Sequence, residues 1–244
     1  MRQIKIKDTI IGDEKVKICM PVSPRDFSEL EAEFEHAFNS PCDVVELRFD
    51  YLAELICKIG GIFNTQSKVK SDKLILFTYR TQAEGGLGTD NDDKYYTINE
   101  QAILSGQIDI LDVEFTKDKS LVERIIKLAH ENDVKVIISK HYFEKSLSQD
   151  EQIEMLIKMQ ATGADIVKLA TTVFDKKGAQ DVISAAKEMY ENHAKVPFIT
   201  IGMGEFGKIT RFIEPFYGSA MTYAKGLKST APGQMSILEL LGEV

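Results

Sequence analysis

Eight short β-rich runs, at 16–22, 43–49, 73–79, 108–115, 134–139, 164–170, 196–201 and 217–223, recur through the chain with helix-period segments between them. Leu121, Val122, Ile125, Ile126 and Ala129 form one apolar stripe at helical spacing. Ser148 followed by Glu151 reads as a capping box that opens another helix, with Ile153, Leu156 and Ile157 on its buried face. Positions 175–193 and 234–241 read as helices too. Strands that alternate with helices make βα units and a parallel sheet. Eight repeats in 244 residues, about 30 residues each, suit an α/β fold of the (β/α)8 TIM-barrel type, which needs about 250. A doubly wound sheet is the competing arrangement, and periodicity by itself does not exclude it. Ahead of the first barrel strand, 3–7 and 9–11 alternate and 12–14 offers a turn. The expected organisation is a single barrel domain over 1–244, with residues 1–15 forming an N-terminal β-hairpin that closes one end.

The net charge is −8, from 30 Lys and Arg against 38 Asp and Glu. That balance argues against nucleic-acid binding, which needs a basic face. It leaves a small anionic substrate open, because a local arginine cluster can outvote the total. No stretch approaches the roughly 20 apolar residues of a membrane span, and the first residues alternate in charge with no signal-peptide core. The three cysteines, Cys19, Cys42 and Cys57, are odd in number and share no metal-ligand spacing. A cytoplasmic protein without a disulfide framework is the expectation.

Barrel strands are ordinarily apolar, yet several here carry charge near their C-terminal ends. Glu46 and Arg48 share one face of their strand, as do Asp112 and Glu114. Arg80 ends the third run, His141 follows the fifth and Lys168 sits inside the sixth. The step is 32 residues from Arg48 to Arg80 and again to Asp112, then 29 to His141 and 27 to Lys168. Each step is one βα repeat, so successive strands deliver one polar residue each to a similar height. In a barrel that height is the catalytic face. Buried charge is costly unless paired, which makes five in register the signature of a site.

Lys168 has two readings: a lysine paired with a carboxylate such as Glu46 or Asp112, or an amine nucleophile. An apolar wall and nearby arginines disfavour an ammonium, and a neutral amine attacks a ketone to form a Schiff base. His141 alone of the four histidines follows a strand, which suits it to proton transfer; His36, His130 and His193 fall on helix surfaces. Glu84, on a loop turned by Gly85, Gly86 and Gly88, is placed either to orient His141 or to sit solvated. Gly202, Gly204 and Gly207 match G-x-G-x-x-G, but 217–228 lacks the acidic residue that nicotinamide binding requires. In a barrel the same glycines form a turn near ligand, with an anion site at a helix N-terminus as one outcome. The loop at 228–236 is either a surface connection or a lid that brings Thr230 and Gln234 to the ligand.

Taken together, these residues resemble the type I 3-dehydroquinate dehydratases. The resemblance rests on Glu46-Leu47-Arg48-Phe49-Asp50, Phe77-Thr78-Tyr79-Arg80 with Glu84-Gly85-Gly86, Ser139-Lys140-His141, Ala164-Asp165-Ile166-Val167-Lys168, Gly202-Met203-Gly204 with Arg211, and Ala231-Pro232-Gly233-Gln234. It implies a barrel with an N-terminal hairpin, a homodimer, no cofactor and no metal. It implies a shikimate-pathway lyase that removes water from 3-dehydroquinate in the syn sense to give 3-dehydroshikimate. On that pattern Lys168 forms the imine, His141 moves the proton and Glu84 supports it. Arg211 binds the substrate carboxylate, and Glu46, Arg48, Arg80, Thr230 and Gln234 hold its hydroxyls and carboxylate. Thr230 stands where the family usually has Ser, and Tyr142 where it commonly has Asp or Asn.

Two other readings remain at this level. One is an aldolase-type Schiff-base barrel enzyme acting on a sugar phosphate held by the turn at 202–207. The other is a catalytically inert, ligand-binding barrel. The acidic total is then read as the solvated exterior, with Arg48, Arg80, Arg211 and Lys168 as a local cationic exception at the barrel mouth.

Overall fold

The computed structural model describes residues 2–52, 72–213 and 216–242. The hairpin comes first: β1 (Ile4–Ile6) pairs antiparallel with β2 (Thr9–Ile11). Then follow β3 (Lys17–Val22), α1 (Phe27–Asn39), β4 (Val44–Arg48), β5 (Leu74–Thr78), α2 (Asp92–Leu104), β6 (Ile110–Glu114), α3 (Lys119–Glu131) and β7 (Lys135–Tyr142). The remainder is α4 (Gln149–Gln160), β8 (Ile166–Thr172), α5 (Lys176–Glu188), β9 (Phe198–Met203), β10 (Met221–Tyr223) and α6 (Ile237–Leu241).

The eight strands β3 to β10 pair in parallel in the order β10-β3-β4-β5-β6-β7-β8-β9. The two ends of this sheet meet where the Ala220 N–H donates to the Phe198 carbonyl at 2.8 Å and the Thr200 N–H donates to Ser219 Oγ at 3.1 Å. The result is a (β/α)8 barrel, as the spacing predicts. Parity then sorts the side chains. Val45, Leu47 and Phe49 point out into the layer shared with the helices. Val44, Leu74, Ile110, Ile137, Ile166 and Ile199 point in and are fully buried at the base of the barrel. Ile6 and Ile11 of the hairpin join that inner cluster, so the hairpin plugs the N-terminal mouth. Its own turn is at Lys7 and Asp8; 12–14 forms the exit into β3.

Helix ends follow local chemistry. Ser148 and Glu151 form the expected reciprocal capping box on α4, and Ser236 with Glu239 forms another on α6. Three expectations need correction. Ile157 is 41% exposed, because α4 buries Gln152, Leu156 and Met159 instead. The segment 175–193 is α-helical only to Glu188 and then widens into a π turn, Met189–His193. The last helix starts at Ile237, after its cap, and leaves Gln234 in the preceding loop. Cys19 and Cys42 are buried free thiols, and Cys57 lies outside the described residues.

The glycine motif after β9 has a packing role. A Cβ on Gly207 would lie 2.4 Å from both the carbonyl carbon and oxygen of Gly202, so the turn doubles back with backbone on backbone. A short 3-10 turn, Lys208–Arg211, follows instead of an α-helix, so no helix N-terminus presents itself to an anion. Substituting Gly207→Ala should lower unfolding stability in urea by about 1–3 kcal/mol, because neither backbone segment can yield cheaply. A change within about 0.5 kcal/mol, the range of neutral surface substitutions, would contradict the close approach.

Candidate active site

Above the apolar base, the next inward positions are polar: Glu46 on β4, Thr78 on β5, Asp112 on β6, Ser139 on β7 and Lys168 on β8. Arg80, just past β5, ties them together. Its guanidinium donates to Asp112 Oδ1 at 2.7 Å, Glu114 Oε1 at 3.1 Å and Ser139 Oγ at 3.0 Å, and lies 3.7 Å from Glu84. Arg80 is 4% exposed. Burial and Arg80 oppose one another at Asp112: desolvation raises its carboxyl, but Arg80 and Lys168 hold it well below the usual carboxylate range.

Glu84 is buried at the end of a short turn, Gln82–Glu84, closed by Gly85 in the left-handed region at φ 79°. Its Oε2 accepts from the backbone N–H of His141 at 3.1 Å and faces His141 Nδ1 at 3.0 Å. Its Oε1 accepts from Lys140 Nζ at 3.0 Å and Thr116 Oγ1 at 2.7 Å. Burial works to raise the Glu84 carboxyl, but the His141 hydrogen bond and the Arg80 charge bring it down to about 2. An ionised carboxylate only accepts, so His141 carries its ring proton on Nδ1 and keeps a lone pair on Nε2. Burial and the Arg80 charge, against the Glu84 hydrogen bond, lower His141 to about 3. Its imidazole is therefore neutral at ordinary pH. Tyr142 takes no part in holding the ring: Glu84 meets its Nδ1 and the backbone N–H of His141, and Phe143 stacks on it with centroids 6.3 Å apart.

Lys168 Nζ lies 3.4 Å from Asp112 Oδ2 and over the ring of Tyr223, 4.3 Å from its centroid. The lysine is thus paired with a carboxylate, Asp112, and the same residue lines the pocket. The cationic exception needs revising. Arg48 is gripped by both oxygens of Asp50 at 2.9 and 2.8 Å, and Arg80 by Asp112 and Glu114. Neither acts as a bare positive charge on Lys168.

Arg211 differs. It is 2% exposed, its Nη2 donates to the Pro232 carbonyl at 3.1 Å, and its Nε has no partner. Among the described residues no carboxylate pairs with it, and burial lowers its guanidinium to about 10. The pocket is walled by Glu46, Arg48, Arg80, Glu84, His141, Lys168, Arg211, Thr230 and Gln234, so all nine expected residues converge. Not all are free. Glu46 accepts from Thr78 Oγ1 at 2.8 Å. Gln234 Oε1 accepts from the Thr230 N–H at 2.7 Å, and its Nε2 donates to Thr230 Oγ1 at 3.0 Å, so this pair braces its own loop. That loop sits on the glycine turn through Gly204 N–H to Pro232 O, 3.2 Å.

Asp50, Lys140, Thr116 and Tyr223 were not distinguishable as site residues in the sequence. Asp50 also accepts from the Leu87 N–H at 3.1 Å, fastening the Glu84 loop. Lys140 adjoins His141 and Tyr223 ends the eighth β-rich run, but spacing marked neither residue.

The His141 shift has a linkage consequence. Its folded value lies below that of the unfolded chain, so the unfolded state binds more protons and stability falls as pH drops below about 6.5. Between pH 7.5 and 5.0 the loss should be about 2 kcal/mol in urea unfolding, and His141→Gln should abolish most of that slope. A parent protein equally stable at both values would rule out a buried neutral His141.

Residues 18–242 match the family model of type I 3-dehydroquinase. The 3-dehydroquinate dehydratase of Clostridium novyi is 35% identical over 98% of this chain and 96% of its own. That of Alkaliphilus oremlandii is 36% identical over 96% and 92%. Among solved structures, the type I 3-dehydroquinate dehydratase of Clostridium difficile, obtained with covalently modified comenic acid, superposes with a TM-score of 0.92 at 31% identity, covering 99% of this chain and 96% of that one. The enzyme of Geobacillus kaustophilus gives 0.90 at 27%, with the same coverage. With its fold, its converging polar residues and its full-length likeness all in agreement, the chain belongs to the type I 3-dehydroquinase family.

Proposed function

We propose that this protein removes water from 3-dehydroquinate in the syn sense to give 3-dehydroshikimate, through an imine on Lys168. Family membership makes the enzyme a hydro-lyase. The observation that carries the finer reading is Arg211: a buried guanidinium that no carboxylate among the described residues pairs with, in the same pocket as a lysine amine and a neutral histidine held by a carboxylate. Such a guanidinium is suited to a substrate carboxylate, which it can meet with two parallel hydrogen bonds.

On this reading the Lys168 amine, once free of its proton, adds to the substrate ketone. The carbinolamine loses water and leaves an iminium. The iminium withdraws electrons from the neighbouring C–H bond, and the His141 Nε2 lone pair takes that proton. The C–H electrons form an enamine, which expels the β-hydroxyl as His141 returns the proton to it. Water then hydrolyses the conjugated iminium, restoring the lysine amine and the ketone. One water is lost overall. Glu84, ionised throughout, holds the ring and stabilises the transient imidazolium. Glu46, Arg48, Arg80, Thr230 and Gln234 complete the substrate-binding set.

The family resemblance extends the proposal to a homodimeric, cytoplasmic enzyme of the shikimate pathway that uses no cofactor. No helix among the described residues is long and apolar enough to cross a membrane. A sugar-phosphate aldolase is less well supported, because the turn at 202–207 opens no α-helix on which phosphate would sit.

Borohydride added with 3-dehydroquinate should leave one reduced adduct, on Lys168, found by peptide mass mapping; an adduct elsewhere or none would refute the imine. Lys168→Ala should abolish both the adduct and formation of the enone carboxylate chromophore. His141→Ala should still give the adduct while slowing turnover about 10²–10⁴-fold. Arg211→Gln should raise KM far more than it lowers imine formation at saturation; unchanged KM would remove its carboxylate-binding role.

A further inference from the structure

The Lys168 nitrogen is held on two sides by different chemistry. Asp112 lies at 3.4 Å, and on another side is the ring of Tyr223, 4.3 Å to its centroid. Tyr223 ends β10, is 4% exposed and directs its ring inward from a register position beside Cys19. Its hydroxyl is buried without a hydrogen-bond partner. What Tyr223 offers Lys168 is therefore the ring and not the oxygen. Burial, then the nearby Cys19 and Glu46, push the phenol well above its ordinary value, so the ring stays uncharged. The negative face of an aromatic ring attracts a cation within about 6 Å, most strongly away from water.

We propose that Tyr223 is a positioning residue for the reaction, its ring face holding the Lys168 nitrogen whenever that nitrogen is cationic. The inference rests on the imine reading above. Lys168 passes from ammonium to neutral amine to carbinolamine to iminium. The two charged forms are favoured by the ring, and the neutral carbinolamine is not. In a pocket whose Arg48 and Arg80 are already paired, the ring lends the iminium stabilisation without adding a negative charge that would bind it permanently. It also gives the nitrogen of β8 a second contact, from β10, besides Asp112.

The test keeps shape constant and varies only the ring's electrostatics. The steady-state fraction of enzyme trapped by borohydride with saturating 3-dehydroquinate is compared for the unsubstituted enzyme, Tyr223→Phe, and variants carrying mono-, di- and trifluorinated phenylalanine at position 223, with Tyr223→Leu as the non-aromatic end point. The trapped fraction and kcat should fall stepwise with each fluorine, and Tyr223→Leu should lose about tenfold, while Tyr223→Phe loses less than about threefold. KM for the substrate should move much less than kcat. A role in packing alone predicts a flat fluorine series, and that result, with a normal adduct in the unsubstituted enzyme, would overturn the inference. No adduct in the unsubstituted enzyme would overturn the imine reading and this inference together. Thermal melting of each variant identifies any loss due to unfolding, and the isosteric series remains decisive if Tyr223→Leu does not fold.

Discussion

One buried guanidinium organises this molecule's working end. Arg80 joins Asp112 and Glu114 of β6 to Ser139 of β7 and stands beside Glu84. Removing two carboxylates from water costs several kcal/mol each unless a cation meets them, and removing the cation alone would cost as much. The cluster is thus stable only as a unit. Because Asp112 is held, it is in place to meet Lys168. Because Glu84 is held, with Lys140 and Thr116 on its other oxygen, it fixes His141. Lys168 and His141 come from β8 and β7, and each is located through the same arginine.

This arrangement sets one half of the site apart from the other. Around Arg80 every strong charge has its opposite within hydrogen-bonding distance. Elsewhere in the pocket, among the described residues, Arg211 has only a carbonyl, and Tyr223 shows a bare ring and an unpartnered hydroxyl. A buried guanidinium that no carboxylate among the described residues matches, lining the same pocket, is suited to an anion. The neutral imidazole follows from the same balance: burial and Arg80 keep His141 uncharged, and Glu84 is ready to support it when it gains a proton.

Much of this was legible before any coordinates. A repeat of 27–32 residues between polar strand ends is a property of the chain, and it maps onto one height of a closed barrel because each βα unit returns the chain to the same face. Parity told Glu46 and Arg48 apart from Val45 and Leu47 for the same reason. Less visible was which charges would be spent on one another. Arg80 and Arg211 look alike in sequence; one meets carboxylates 30-odd residues away, the other reaches the pocket on a 3-10 turn with none among the described residues. Ile157 was misplaced because the buried stripe of a helix is degenerate by one residue at its flank and packing breaks the tie; Gln234 was misplaced because the Ser236 cap starts the last helix only at Ile237.

The sequence by itself determined the eightfold βα alternation, the inward positions that would be polar and the family these residues resemble, since periodicity, spacing and motif order are written along the chain. Only the tertiary structure decided the pairing: that Arg48 belongs to Asp50 and Arg80 to Asp112 and Glu114, that Arg211 meets no carboxylate among the described residues, and that Lys168 lies close to both a carboxylate and an aromatic face. Apart from Arg48 and Asp50, which are near neighbours in the chain, those outcomes depend on distances of 2.7 to 4.3 Å between strands far apart in sequence, and a buried charge is defined energetically by whatever lies within that reach.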